Sequence, residues 1–266
     1  MIALPPPAIE ATAATGFAPV LDNEYRYHIE QQRDDAGAVR RYTTDRSVRF
    51  RRTADGLVAD MVIETVDGSL SGGPGAMFER AFATLRGRPI RYRLSDRGEV
   101  TDVIDRAAIW SALVDAIAAQ GGSDPAKSAM LARLTAPLRA MPERQQVAML
   151  GSMLTNLLAP DVLRLGVQPE RPVRRPGAPP FGAGSEVTGT ERIHAEGREL
   201  IAEERLTGDI AATGGRPGGR RTSSMVRAVD AATGMIVRQT STVRIESGNA
   251  ISIATTRITL RRPYGI

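Results

Sequence analysis

Alternating apolar and polar positions dominate the first part of the chain. In "EYRYHIEQQ", Tyr25, Tyr27 and Ile29 alternate with polar neighbours, a period of two that is typical of a strand with one wet face. The segment "RRYTTDRSVRFRRTADGLVADMVIETVDG" predicts two long strands joined at Asp55-Gly56, because Asp-Gly tolerates the positive φ angles of a tight hairpin. The pattern therefore predicts an antiparallel sheet.

The period becomes helical in the middle of the chain. "DRAAIWSALVDAIAAQGG" has apolar residues at helical spacing and ends at a Gly-Gly pair. Asp105 stands just before it, where a carboxylate can cap the first N–H groups. "SDPAKSAMLARLTAPLRAM" begins with Asp124 as N-cap and Pro125 at the first helical position. "PERQQVAMLGSMLTNLLAPDVL" predicts a further helix, which ends at Pro160.

A period of two returns after a Pro/Gly/Arg-rich stretch and ends in a three-strand meander. The predicted organisation is a flexible Ala/Pro-rich tail over 1–21, strands over about 22–104 with a short helix near 75–87, helices over about 105–166, a loop over 167–185 and strands over about 186–262. We predict one domain over 22–266 of the α+β class. Its curved, half-barrel-like antiparallel sheet carries the helical insertion on one face.

Composition narrows the class of protein. With 42% hydrophobic and 24% charged residues, the chain is typical of a globular protein, and no apolar run predicts a transmembrane segment. The absence of cysteine excludes disulfides, thiolate metal sites and a cysteine nucleophile. The Ala/Pro/Thr-rich start resembles the lead-in of a mature exported protein, so we expect a periplasmic or secreted protein whose signal peptide is absent here. A cytoplasmic protein with a loose tail is the alternative.

The basic residues are mostly arginine, since Lys127 is the only lysine among 35. They are interleaved with 30 acids, and aromatic residues make up only 4%, so we predict no nucleic-acid partner. Two Arg-rich segments, "RPVRR" and "RRT", are predicted to contact an anionic group of a ligand or partner, and a solvated loop is the alternative for both. Their arginines are Arg171, Arg174, Arg175, Arg220 and Arg221.

The sequence favours no catalytic, metal or cofactor site. The acids of "YRLSDRGEVTDVIDRAAIW" fit a turn, a wet strand face and a helix start, and they do not match a calcium loop. His28 and His194 are the only histidines and have no metal-binding spacing. There is no Gly-x-Ser-x-Gly elbow, and the glycine clusters lack a Walker lysine. An enzyme acting through scattered carboxylates and histidines is the less favoured reading.

Apolar helix faces supply the candidate ligand site. Flexible methionines suit adaptable surfaces, and helices on a curved sheet often leave an apolar cavity, which we expect beside Trp110. Packing in an ordinary core is the alternative. The residues predicted to line such a cavity are Phe78, Phe82, Trp110, Met130, Leu134, Met153 and Leu154.

The order of elements resembles a known group of proteins. The strand pair "RYRLSDRGEVTDV", the helices after it and the meander "VDAATGMIVRQTSTVRI" are similar in layout to the U-shaped half-barrel proteins of bacterial envelopes, over about Asp22–Arg262. These include the lipoprotein carrier LolA and the mycobacterial lipid carriers LppX and LprG. The resemblance implies a non-catalytic envelope protein that binds a lipid, acyl chain or lipoprotein between sheet and helices. A structural or protein-interaction module of the envelope is the alternative.

Overall fold

The computed structural model of the protein describes residues 16–68, 80–176, 186–212 and 218–261, which form one sheet of eleven strands with helices inserted between the fifth and the sixth. The strands are β1 (Glu24–Asp35), β2 (Ala38–Thr53), β3 (Gly56–Gly68), β4 (Pro89–Leu94), β5 (Val100–Val103), β6 (Gln168–Pro176), β7 (Glu186–Glu196), β8 (Glu199–Ile210), β9 (Gly219–Asp230), β10 (Ile236–Ser247) and β11 (Ala250–Arg261). The inserted α-helices are α1 (Arg106–Ala118), α2 (Pro125–Arg139), α3 (Glu143–Thr155) and α4 (Pro160–Leu165).

The sheet consists of two meanders that meet at the first and last strands. Its strand order is β5-β4-β3-β2-β1-β11-β10-β9-β8-β7-β6, and every pair is antiparallel. Strands β1 and β11 pair from Arg26 opposite Arg261 to Asp35 opposite Ser252. The sheet is not closed, because β5 and β6 are its two edges. The predicted antiparallel sheet with a helical insertion is confirmed at this level.

One face of the sheet, the inner face, packs against the helices. In β1 the alternation is as predicted, since Tyr25, Tyr27 and Ile29 are buried on this face. Two tyrosine hydroxyls fasten the helical segment to the sheet. Tyr27 donates to the carbonyl of Leu157 at 3.4 Å, and Tyr92 donates to the carbonyl of Leu150 at 3.2 Å. Burial raises the pKa of both tyrosines, so both hydroxyls keep their protons and act as donors.

The sheet curls, and Phe17 demonstrates this. Its ring lies against Gly98 in the β4–β5 turn and against Gly234 in the β9–β10 turn. Strands β4 and β10 are five positions apart in the sheet, which is about 24 Å when a sheet is flat. One phenyl ring can touch both turns only if the two parts of the sheet that carry these turns bend towards each other. The same ring also packs edge-on against Phe50, with centroids 5.8 Å apart.

Helix boundaries follow the sequence signals, with one exception. The Asp124 carboxylate accepts hydrogen bonds from the N–H groups of Ala126 and Lys127, and Pro125 begins α2, as predicted. The prediction that Asp105 caps α1 with its side chain is wrong. Asp105 has a left-handed backbone with φ 59°, and its carboxylate pairs with Arg91 at 2.7 Å instead.

Two of the predicted boundaries are wrong, and part of a third predicted element lies outside the described residues. The loop predicted over 167–185 is wrong for Gln168–Pro176, which forms the edge strand β6; an edge strand tolerates proline because one row of its N–H groups has no partner in the sheet. The tail predicted over 1–21 is too long, since Phe17 is buried in the core. Of the helix predicted near 75–87, residues 80–83 are helical and 69–79 lie outside the described residues.

The opposite, outer face is wet and charged. On β1, β2 and β11 its arginines pair with acids across neighbouring strands, for example Arg41 and Arg257 with Glu30. Such exposed pairs contribute little to stability individually. They do keep the outer face polar, so the apolar burial of this part of the sheet lies on the inner face.

Candidate functional site: the open half of the inner face

The inner face is divided into a covered and an open half. In the covered half, large side chains such as Tyr27, Phe50, Met61 and Tyr92 are fully buried against the helices. Beyond Ile258 the same face continues along β8–β11, but its side chains are only half-buried and belong to neither buried cluster of the described residues. We call this surface the open face. Its small and apolar members are Leu206, Ser223, Met225, Ser241, Val243, Ile245, Ala254 and Thr256. The charged residues Glu204 and Arg221 lie in the same rows, opposite Met225 and Ile245.

The strand register places these residues on one face. Ile258 is opposite Ile29 of the core, so Thr256 and Ala254, two and four residues before it, point the same way. Across the sheet, Thr256 lies opposite Ser241, which lies opposite Met225. The next row runs from Ala254 through Val243 and Ser223 to Leu206 in the same manner.

Small and apolar side chains give the open face its character. Serine, alanine and threonine stand where the covered half has tyrosine, phenylalanine and methionine. Small side chains leave room above the sheet, while Leu206, Met225, Val243 and Ile245 offer apolar surface. Each methylene group transferred from water to such a surface contributes up to about 0.8 kcal/mol. The arrangement suits a flat or extended apolar ligand.

A buried ion cluster borders the open face at the β6–β8 end. Glu191 of β7 is only 2% exposed and accepts a 2.7 Å hydrogen bond from Arg171. Arg175 lies 3.5 Å from Glu191 and 3.0 Å from Glu204, the residue opposite Glu191 on β8. The two arginines neutralise the two carboxylates, which lets this end of the face be buried.

A second polar group borders the open face at the β1 end. Asp35 accepts a 2.7 Å hydrogen bond from the hydroxyl of Ser252 and pairs with Arg33 and Arg40. The bond from Ser252 is the largest influence on Asp35. Together with the two arginines, and against the effect of burial, it lowers the pKa of the Asp35 carboxyl, which is therefore ionised at neutral pH.

Arg46 lies on the inner face in the covered half, opposite Tyr27 and two inward positions along β2 from the row of Thr256. Its Nη1 atom donates a 2.9 Å hydrogen bond to the carbonyl of Met153 at the end of α3, while its buried Nε has no hydrogen-bond partner. Arg46 forms no ion pair with the residues that the structure describes. Its burial lowers the pKa of the guanidinium, although it stays charged at neutral pH.

The predicted apolar lining residues mostly lie in the packed core. Trp110 is 4% exposed and donates from Nε1 to the Leu138 carbonyl at 2.9 Å. Leu154 has no exposed surface and Met153 is buried, so a ligand would reach them only if the helices moved. Phe82 and Leu134 are partly buried against the core, Met130 is 53% exposed, and Phe78 lies outside the described residues.

A cleft of about 340 Å³ does lie beside Trp110, between α1 and the helices after it. The ion pair between Arg106 and Glu143 stands in its wall. A second cleft, of about 440 Å³, lies between the β4–β5 turn, α3 and α4, where Arg227 pairs with Asp161 at 3.2 Å. Neither cleft shares a residue with the open face.

The five arginines predicted to contact an anionic group lie on both faces of the sheet. Arg171 and Arg175 point inward to Glu191, and Arg221 also lies on the inner face, opposite Gly208. Arg174 lies 3.7 Å from Glu186 and is exposed, while Arg220 donates to the hydroxyl of Thr207 on the outer face. Alternation along the strands separates them, because neighbouring residues of a strand point to opposite faces.

His28 forms a polar pair with an acid on the sheet surface, whereas the Nδ1 of His194 is buried without a hydrogen-bond partner among the described residues. His28 Nδ1 lies 2.8 Å from Asp45, which also pairs with Arg261 at 3.2 Å. Burial acts to raise the pKa of Asp45, but the hydrogen bonds from His28 and Thr65 together with the charge of Arg261 lower that pKa overall. In the described part of the chain, no three histidine, aspartate or glutamate side chains are grouped as ligands for a metal ion.

Two residues of this region could have been noticed in the sequence. Glu191 occupies an inward position in the alternation that contains Val187 and Ile193, and Arg46 does so between Thr44 and Val48. A charged residue in the apolar phase of a strand is a signal of a buried polar group. The sequence does not reveal their partners, which come from β6 and α3.

No protein-family model matches this chain, and no curated protein is significantly similar to it. None of the described helices is long and apolar enough to cross a membrane. Evidence on the function of this protein therefore comes from the geometry of the inner face.

Proposed function

We propose that this protein is a non-catalytic carrier that binds a hydrophobic ligand, a lipid, an acyl chain or an acylated protein, on the open face beside the helices. In this proposal the curled sheet acts as a half-barrel, as in the envelope carriers that the element order resembles, and the protein works in the bacterial envelope. The observation that supports this proposal most directly is the division of the inner face into a covered and an open half. Half of it is filled by buried aromatic and aliphatic side chains, and in the other half the small and apolar side chains beside Glu204 and Arg221 are only half-buried.

Burial of apolar surface supplies the binding energy in this proposal. At about 25 cal/mol per Å² removed from water, a contact of a few hundred Å² is enough for a useful affinity once the cost of association is subtracted. Binding needs no covalent chemistry, so no nucleophile or metal is required. Release follows from movement of the helices relative to the sheet.

Pairing with a protein partner at a sheet edge is less favoured. Strand β5 has four residues, and β6 contains Pro169, Pro172 and Pro176, each of which lacks an N–H group. Short strands and prolines are typical of edges protected against pairing with another chain. The edges are therefore poor templates for an added strand.

The test compares two neighbouring residues of β9 that point to opposite faces. Met225 lies on the open face, and Val226 lies on the outer face with 46% exposure. Native mass spectrometry of the purified protein should show a bound lipid, and a fluorescent hydrophobic probe should bind after the lipid is removed. Met225→Glu should weaken probe binding at least about tenfold, because a bound apolar ligand would desolvate the new carboxylate.

Val226→Glu is the matched control and should leave the affinity unchanged. If neither lipid nor probe binds the wild-type protein, the proposed function is wrong. If both variants bind the probe as the wild type does, the ligand site is not the open face.

A further inference from the structure

Among the residues that the structure describes, Arg46 has no counter-ion, and it lies two inward positions along β2 from the first row of the open face. Its single hydrogen bond goes to a neutral carbonyl, that of Met153, and its buried Nε has no partner. Buried donors in native proteins nearly always have a partner, and a buried charge is normally paired. The Nε of Arg171 is also buried without a partner, but the charge of Arg171 is matched by the carboxylate of Glu191, so the missing counter-charge is what distinguishes Arg46.

The surroundings of Arg46 are aromatic and neutral. Burial raises the pKa of Tyr92, which interacts electrostatically with Arg46 and keeps its proton at neutral pH, and no described carboxylate lies within ion-pair distance of Arg46. An arginine in such a site holds its donors in a planar fork that matches a carboxylate or phosphate. The partner that Arg46 lacks among the described residues is therefore an anion.

The strand register connects Arg46 to the open face. Arg46 lies opposite Tyr27; Thr44 and then Tyr42 are the next inward residues of β2, and the row of Tyr42 crosses the sheet through Gln31 to Thr256. Counting strand spacings across the sheet and four residues along it, Arg46 is about 16 Å from Thr256 and about 23 Å from Met225 when the sheet is flat. A long acyl chain can cover this span, with one end at Arg46 and its tail on the open face.

We propose that the ligand is an anionic amphiphile, an acyl chain that ends in a carboxylate or phosphate group, and that Arg46 binds this group. The inference rests on the proposed function, because it names the chemical class of the ligand on the open face. Arg46 holds the α3 end through Met153 when no ligand is bound, and the anion supplies its missing counter-charge.

The test uses pairs of probes that differ only in the charged group. Palmitate is compared with hexadecanol, and dipalmitoyl phosphatidate with dipalmitoylglycerol, by displacement of the fluorescent probe from the delipidated protein. The wild type should prefer the anion of at least one pair by about tenfold or more, the effect of a charge-assisted hydrogen bond. A preference for palmitate identifies a fatty acid, and one for phosphatidate identifies an anionic phospholipid; either supports the proposal.

Variants of Arg46 separate this role from a structural one. Arg46→Met should remove the preference while keeping the affinity for the neutral probe, and Arg46→Lys should reduce the preference several-fold because it loses the planar fork. Arg257→Met, an exposed arginine on the outer face of β11, is the control and should change nothing. If Arg46→Met does not fold, Arg46→Lys alone decides.

Results that would contradict the role of Arg46 differ from results that would contradict the proposed carrier function. Equal affinity for charged and neutral probes in the wild type overturns the role of Arg46, although a hydrophobic carrier remains. A preference that survives in the folded Arg46 variants also overturns it, as does an equal loss of affinity for both probes, which would make Arg46 only an anchor for α3. If no probe of either kind binds, the proposed function itself fails.

Discussion

The hydroxyl of Ser252 donates a 2.7 Å hydrogen bond to Oδ1 of Asp35, across the strand pair that joins the two meanders of the sheet. These residues are 217 positions apart in the chain. The bond therefore reports whether the two halves of the sheet are correctly assembled, and it lies at the border of the open face.

The ionisation of Asp35 should make its contribution to stability depend on pH. Its folded-state pKa is lowered, chiefly by Ser252, so its stabilising effect is present above the unfolded pKa of about 3.9 and is lost as the pH falls through the lower, folded pKa. Asp35→Asn should lower the free energy of unfolding by about 1 kcal/mol at pH 7. Urea denaturation at pH 7 and pH 3 should show the difference from wild type shrinking at the lower pH; a constant difference would contradict the assignment.

The buried Glu191 should matter far more than its exposed counterpart Glu186 on the same strand. Both pair with arginines of β6, but Glu191 is 2% exposed whereas the Glu186 side chain is 60% exposed. Glu191→Ala should cost about 1.5–3 kcal/mol of unfolding free energy, because it removes a charge-assisted hydrogen bond made by a buried carboxylate, while the Arg171 side chain is 40% exposed. Glu186→Ala should cost less than about 0.5 kcal/mol. Chemical denaturation of both variants measures this, and similar losses would show that the Glu191 cluster is not buried in solution.

The contact of Phe17 with Gly98 should be specific to the curled sheet. Gly98→Ala combines a positive φ of 79° with a Cβ only 2.5 Å from the Phe17 ring. Gly87 has φ 73° with open space around it, so Gly87→Ala measures the backbone strain alone. Gly98→Ala should be less stable than Gly87→Ala by about 1–3 kcal/mol in thermal or chemical unfolding. Adding Phe17→Ala to both should abolish this difference, and a difference that persists would argue against the curl.

The only tryptophan gives an optical test of where the ligand binds. Trp110 lies beside a cleft between helices, and none of the residues lining that cleft belongs to the open face. Titration with palmitate should therefore leave the emission of Trp110 unchanged while the fluorescent probe is displaced. An emission change that saturates with the same affinity would place the ligand beside Trp110, as the sequence predicts.

Local signals in the sequence were sufficient for most of the secondary structure. The alternation of Tyr25, Tyr27 and Ile29 predicts which face of β1 is buried, because period two is a property of the strand itself. Asp124 and Pro125 predict the start of α2 for a similarly local reason, the need to satisfy the first N–H groups. Even the inward charges Arg46 and Glu191 are visible as breaks in an apolar phase.

Only the tertiary structure decides what those residues meet. The pairing of β1 with β11 joins the two ends of the chain, and no local pattern specifies a contact over more than 200 residues. Asp105 turns from a predicted cap into the partner of Arg91 because β4 lies beside it in the fold. The open face exists because the described helices are too few and too short to cover a sheet of eleven strands. The sequence by itself determined the strands, the helices and the inward phase of each strand; the register and the curl of the sheet decided which inward residues are buried and which are only half-buried.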